Sequence, residues 1–424
     1  MNILTIVRHS SILDYLRRLV PNELVNSGKH LPMGILANLI YGFPSRKLTI
    51  IGVTGTDGKT TTATMLYHIL LNTGYKVALV STVSARIGNL DIDTGFHVTS
   101  PDHLPLQKLL KKICDQGFTH VVLEATSHGL AQHRFWGVTF FGGVVTNITE
   151  DHLDYHKTWE NYALAKAKLF SSTRFAILNA EDKSYTFLKP RIKGKIVTYG
   201  QNKGDWNLKN SSFTLSIMGD FNRLNALAAV AAASELGVPK DKAFTAISTF
   251  KGVVGRMEVL QDKPFRVIVD FAHTPDALKT ALTALRSQKS KRLIAVFGCA
   301  GERDKNRRKM GMVAAKKADI TVITAEDPRK EGVEAISDEI AGWAKRSGAM
   351  EVKKEQLLTE KHLKYPVFIR IPDRQEAIAF SISIAKKGDI VGIFGKGHER
   401  SMCFGTVENP WSDQEAVRKS LEHS

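Results

Sequence analysis

Cysteine is scarce in this 424-residue chain: Cys114, Cys299 and Cys403 lie far apart and without C-x-x-C spacing. That argues against a disulfide framework or a zinc site and fits a reducing compartment. Long apolar runs are missing as well. No stretch approaches the ~18 residues of a membrane span, and the leading MNILTIVRHSSILDYLRRLVP is interrupted by charges, which makes it a poor signal peptide. The expectation is a cytoplasmic protein without stable membrane insertion. Low-complexity segments and internal repeats are absent. Acidic residues are in deficit, with 42 Asp and Glu against 59 Lys and Arg, a formal net charge of +17. The basic residues are scattered, as in AKAKLF, RSQKSKR and DKNRRK, with no basic tail and no aromatic-interleaved patch. This speaks against general nucleic-acid binding and leaves a positive field suited to nucleotides and polyanionic substrates.

What is present is a repeated alternation. Short apolar runs at RKLTIIGV, KVALVS, THVVLEA, FGGVVTN and RFAILN are separated by segments with helical spacing, such as LPLQKLLKKICDQG. A second series, FRVIVDFAH, KRLIAVFG, ADITVITAED, PVFIRI and DIVGIFGKG, begins near residue 253. Between them lies the alanine-rich helix of GDFNRLNALAAVAAASELG, ending at Gly237. Strands alternating with helices predict mostly parallel sheets covered on both faces.

The first strand runs into GVTGTDGKTTTATML (52–66). Strand, glycine turn and helix are the context in which backbone N–H groups and a helix N-terminus hold an anion. In such a loop Lys59 reaches the β/γ-phosphates and the Thr60 hydroxyl can ligate Mg²⁺. The strict pattern G-x-x-x-x-G-K-[ST] nevertheless fails by one residue, because Val53 stands where its first glycine belongs.

TGTDGKTTT resembles the TGTNGKTTT loop of the Mur ligase family. Further motifs narrow the resemblance to the UDP-N-acetylmuramoyl-tripeptide synthetase branch: TSPD (99–102), LEATSHGLAQHR (123–134), TNITEDHLDYH (146–156), YALAKAKLF (162–170), GDFNRLNALAA (219–229), VVGRMEV (253–259), VDFAHTPDAL (269–278), FGCAGERD (297–304), EDPR (326–329) and GKGHE (395–399). The resemblance implies three parts: a shortened N-terminal helical segment (1–47), a P-loop ATP-binding domain (48–252), and a Rossmann-like α/β domain that binds the amino acid (253–424).

The family joins an amino acid to a carboxylate with ATP, through an acyl phosphate. By resemblance, ATP is held by Gly55, Thr56, Asp57, Gly58, Lys59, Thr60 and Thr61, with Asn222, Arg256, Asp270 and His273. Magnesium falls to Thr60, Glu124, His152 and Lys166, the last as a carbamylated lysine, and Lys59, His152 and Lys166 carry the catalysis. Read by composition alone, Lys166 is a solvated lysine on an amphipathic helix, and Asn222 could equally be a helix cap. Thr99, Ser100, Thr126, Gln132 and Arg134 match positions that hold the muramoyl-peptide. Arg303, Asp327, Arg329, Gly395 and Glu399 match the amino-acid pocket, in which Arg329 accompanies meso-diaminopimelate. The implied activity adds that diamino acid to UDP-N-acetylmuramoyl-dipeptide for peptidoglycan, by a monomer. Alternatives are a related ligase with another peptide, polymer or lipid-linked acceptor, and a non-catalytic nucleotide-binding protein.

Three departures stand out. Asp57 replaces the family's asparagine, Glu326-Asp327 replaces the Asp-Asn of its DNPR motif, and Thr126 replaces a serine. In the first segment, LPMGILANLIYGFPSRK is apolar with a basic end, which suits packing on the ATP-binding domain or contact with a membrane surface.

Overall fold

The computed structural model describes residues 26–92, 101–288, 290–359 and 363–422. Two sheets organise the chain. The first contains β1 (Thr49–Thr54), β2 (Val77–Val80), β3 (Ala85–Ile87), β4 (Leu90–Ile92), β5 (His120–Glu124), β6 (Phe140–Val145), β7 (Phe175–Asn179), β8 (Lys195–Gly200) and β9 (Trp206–Asn207). Their spatial order is β4-β3-β2-β5-β1-β6-β7-β8-β9. All neighbours are parallel except the β2–β3 and β3–β4 pairs. The five apolar runs of the first series are its central strands. β8 carries only a partial apolar alternation and β3, β4 and β9 are two or three residues long, so none of them gives a continuous run.

The second sheet contains β10 (Glu258–Gln261), β11 (Arg266–Asp270), β12 (Leu293–Phe297), β13 (Ile320–Ile323), β14 (Met350–Glu351), β15 (Val367–Arg370) and β16 (Ile390–Phe394). Its order is β10-β11-β16-β12-β13-β15-β14, parallel except for β10 against β11. A hairpin of β17 (Ser401–Phe404) and β18 (Val407–Pro410) follows.

Each sheet is covered on both faces, which is why its strands read as near-continuous apolar runs. On the first sheet, α1 (Lys59–Asn72) packs with the alanine-rich α2 (Asp220–Glu235) over one face. Small side chains let these helices approach closely, and Ala226, Ala228, Ala229 and Ala231–Ala233 are all fully buried. The opposite face packs on the helix His103–Asp115 and on Tyr162, Leu169 and Phe170. The expected helix in LPMGILANLIYGF is present at Leu31–Tyr41, closed by Gly42 in the left-handed region.

In parallel sheets the loops at the carboxyl ends of the strands collect on one edge. The loops after β1, β5 and β6 meet those after β11, β12, β13 and β16 across a cleft of about 560 Å³.

Candidate active site

The loop after β1 explains the displaced glycine. Gly55 has φ +150°, and a Cβ there would lie 1.8 Å from Thr146 Oγ1. Gly58 has φ +79°, and a Cβ would lie 2.5 Å from Asn225 Oδ1. These two glycines shape the turn, so no glycine is needed at Val53. The loop is pinned from β6: Thr56 N–H donates to the Asn147 carbonyl (2.8 Å) and Asp57 N–H to Asn147 Oδ1 (3.0 Å). Thr146 Oγ1 donates to the Asp57 carbonyl at 2.6 Å. Gly58 caps α1 without a side-chain acceptor, which leaves first-turn N–H groups facing the cleft for an anion.

Lys59 Nζ donates to the Thr56 carbonyl at 2.6 Å and lines the cleft. Thr60 Oγ1 donates to Glu124 at 3.0 Å, and Thr82 N–H and Oγ1 hold the same carboxylate at 3.1 and 2.9 Å. A hydroxyl and a fixed carboxylate side by side suit Mg²⁺, which completes its shell with phosphate oxygens and water. These residues therefore fit the metal the family implies. Among the described residues there is no group of three His, Cys, Asp or Glu that could cage a metal alone. Thr61 is buried on the same turn.

Lys166 departs from the solvated reading. It is buried, its Nζ donates to the Gly55 carbonyl at 2.6 Å, and it lies 4.3 Å over the Tyr162 ring. Burial, together with neighbouring Lys59, holds it well below the usual lysine range. Tyr162 Oη in turn meets Thr56 Oγ1 at 3.2 Å. His152 follows β6 with φ +54°, an uncommon conformation for a non-glycine residue, and stands edge-on to His128 at 4.7 Å. Burial and the adjacent His128 keep it neutral, the form in which imidazole binds a metal.

From the second sheet, Arg256 reaches across the cleft to Thr60 Oγ1 at 3.3 Å. The Asp270 carboxylate accepts the N–H groups of Met257 (2.7 Å) and Ala272 (2.8 Å), so it orders both loops on its side of the cleft. His273 Nδ1 sits 2.9 Å from the Phe271 carbonyl, which fixes its ring. Asn222 is not a helix cap. Gly219 takes the N-cap, while Asn222 Nδ2 donates to the Met218 carbonyl at 2.6 Å and its Oδ1 accepts from Asn225.

The amino-acid candidates gather at the carboxyl ends of β13 and β16. Arg374 builds this corner. It makes a buried bidentate pair with Asp413, both contacts 2.8 Å, and donates to the carbonyls of Ala325 and Phe394. Asp327 accepts from Lys396 Nζ (2.7 Å) and Cys403 N–H (2.9 Å), and Lys396 also pairs with Glu399. Arg329 is held through its backbone, which bonds Cys403 and Gly405, with φ +55° and a buried Nε lacking a partner among the described residues. Gly395 N–H donates to the Asp270 carbonyl, and Arg303 lines the same cleft. Glu326 carries no sequence signal of its own role. Burial, only partly offset by Arg374, pushes its carboxyl up to about 8, so near neutral pH it offers an O–H donor. Asn147 and the Asp151–Arg307 pair (3.8 Å) also line the cleft, and buried Lys396 supports it through Asp327 and Glu399, although the motifs do not single them out.

On the acceptor side, Thr126 Oγ1 caps the helix Ser127–Ala131 by accepting from Gly129 N–H at 3.1 Å. Gln132 Oε1 accepts from Arg134 Nε at 2.9 Å, and Arg134 lies 3.4 Å from Asp102. All three line the cleft. Thr99 and Ser100 lie outside the described residues.

Asp57 gives a direct test of the loop. It lines the cleft, and burial raises its carboxyl to about 6. Above that pH the carboxylate would repel a triphosphate held by this loop. Asp57→Asn should tighten ATP binding about three- to tenfold at pH 7.5, and the two dissociation constants should converge as the pH falls below 6. Calorimetric titration of ATP at both pH values checks this; equal affinities at pH 7.5 would remove Asp57 from the nucleotide's surroundings.

The two segments that form these sheets are each matched by a family model. These are the Mur ligase middle domain over residues 53–233 and the Mur ligase glutamate ligase domain over 255–397. The chain belongs to the Mur ligase family, whose members are in general ATP- and Mg²⁺-dependent. It is 37% identical over 409 residues to the UDP-N-acetylmuramoyl-L-alanyl-D-glutamate–2,6-diaminopimelate ligase of Phocaeicola vulgatus, covering 91% of this chain and 81% of that one. The protein of the same name from Aquifex aeolicus is 36% identical over 410 residues, covering 92% and 80%. A solved structure of a ligase with this name superposes with a TM-score of 0.59 at 31% identity, over 89% of this chain and 78% of the other.

Proposed function

We propose that this protein is an ATP-dependent amide ligase that adds meso-diaminopimelate to UDP-N-acetylmuramoyl-dipeptide in peptidoglycan synthesis. It would act as a cytoplasmic monomer built of the parts 1–47, 48–252 and 253–424. The observation that carries the reading is the cleft, where Lys59, Thr60 and Glu124 face Arg329 and Glu399. Its support is the similarity, along most of the chain, to ligases of that name.

In the proposed reaction an oxygen of the acceptor carboxylate forms a bond to the γ-phosphorus of ATP while the bond to ADP breaks. The incoming amine then forms the C–N bond and gives up a proton to solvent, and phosphate leaves with that carboxylate oxygen. Lys59 and the first turn of α1 hold the phosphates, with Arg256, Asn222 and His273 around the rest of the nucleotide and Asp270 ordering the loops. Thr60 and Glu124 would hold one magnesium ion, and His152 with modified Lys166 a second, and the metal would supply neutralisation of phosphate oxygen charge. Thr126, Gln132 and Arg134, with Thr99 and Ser100, hold the acceptor. Arg329 and Arg303 take the distal carboxylate in the bidentate manner suited to guanidinium. Glu399 and Asp327, linked by Lys396, face the distal ammonium.

Lys166 is the proposed carbamate. A buried amine kept unprotonated can attack CO₂, forming an N–C bond and losing one proton, and the product is an anion beside His152 in place of a cation.

The test is incubation of the protein with ATP, Mg²⁺, UDP-N-acetylmuramoyl-dipeptide and a panel of amino acids, with products read by mass. The expected product gains the mass of diaminopimelate less water, while lysine gives little. No product with any amino acid would reject this acceptor.

A further inference from the structure

Five of the fifteen exposed large apolar side chains among the described residues fall within eight consecutive positions, on the helix Leu31–Tyr41. At about 100° per residue, Met33, Leu36 and Ile40 form one stripe, and Ile35 and Leu39 widen it to about half the circumference. Leu39 is 63% and Ile40 57% exposed. The opposite side is committed to the protein. Gly34, Ala37 and Asn38 are buried there, and Asn38 Nδ2 donates to the Trp136 carbonyl at 2.6 Å. Packing on the ATP-binding part therefore uses one side of this helix and leaves an apolar side outward. Isolated exposed leucines need no explanation; a contiguous apolar strip does.

Within this segment the charge is of one sign, although Asp102 lies near His30 and Asp115, like Lys47, near Cys114. Residues 26–48 contain Lys29, Arg46 and Lys47 and not one Asp or Glu, and all three cations are exposed. Arg46 lies 4.4 Å over the Phe43 ring, so an aromatic and a cation sit together at the carboxyl end of the strip. A second copy placed on this face would bring two such cationic sets together with no acid in the segment to pair them. The strip is convex and offers no hydrogen-bonding side chain by which a folded partner could be chosen. A bilayer surface needs neither groove nor donor. Apolar side chains enter the headgroup boundary while basic residues stay with anionic headgroups. No described helix is long and apolar enough to cross a membrane.

We infer that the outward side of Leu31–Tyr41, with Lys29, Arg46 and Lys47, docks this protein on anionic lipid bilayers. The cleft lies elsewhere, so docking and ligation are separable. The test is co-sedimentation of the full chain with phosphatidylcholine vesicles, with and without phosphatidylglycerol. Binding is expected with phosphatidylglycerol and should fall at least about tenfold without it or at high salt. The double variant Leu39→Glu/Ile40→Glu should lose binding about tenfold or more, and Arg46→Glu/Lys47→Glu should lose the dependence on phosphatidylglycerol. Both should keep the wild-type melting temperature and acceptor-independent nucleotide affinity. Failure of the wild-type chain to sediment, or unchanged sedimentation of both variants, would overturn the inference. So would self-association in lipid-free buffer that Leu39→Glu/Ile40→Glu abolishes, which would give the face to a second copy. A fall in melting temperature of that variant without vesicle binding by the wild type would instead give it to residues 1–25.

Discussion

Replacing Lys59 by alanine is expected to lower turnover about a thousandfold and to weaken ATP binding, while leaving the melting temperature nearly unchanged. Phosphoryl transfer is positioning plus neutralisation of oxygen charge, and removing one aligned donor costs about a hundred- to a thousandfold. Lys59 is the cation on the first turn of α1, and its ammonium donates to a carbonyl of its own loop, Thr56 at 2.6 Å. Losing that bond removes about 1–2 kcal/mol of stability at most, because the loop remains pinned by Thr146 and Asn147. Steady-state kinetics, ATP titration and thermal melting check the three parts. Wild-type turnover in this variant would show that the loop does not hold the reacting triphosphate.

The second large effect is expected at Lys166. Lys166→Ala should lose about a hundredfold or more in turnover, and acetate or formate should restore part of it by supplying the missing anion. A merely structural lysine would show no such rescue, since a carboxylate cannot replace a hydrogen bond donated to the Gly55 carbonyl. Carbon-13 bicarbonate should label the wild-type protein and not the variant. Full activity of Lys166→Ala, or loss without rescue and without label, would end the carbamate proposal.

Much of this was legible in the sequence because it depends on local backbone chemistry. Gly55 and Gly58 mark a turn with left-handed geometry, and Lys59-Thr60 mark the helix that starts from it. Glu124 and Asp270 could be placed at strand ends because an acid terminating an apolar run stands out. The burial of Lys166 could not be read, since helical periodicity says which side chains share a face and not what covers that face. The neutral Glu326 and the Lys396 bridge between Asp327 and Glu399 depend on residues from β13, β16 and the hairpin meeting in space. The Asp151–Arg307 contact depends on how two sheets face one another. The helix Leu31–Tyr41 was visible as an apolar segment, but its two-sided character emerged only once Gly34, Ala37 and Asn38 were seen to be inside.

The central claim is that a carboxylate is activated by phosphoryl transfer within this cleft. It is tested most directly by following oxygen-18 from a labelled acceptor carboxylate during turnover with ATP and diaminopimelate. The expected result is one labelled oxygen in each phosphate released, appearing only when acceptor is present. Phosphate released without label, or at the same rate without acceptor, would contradict it.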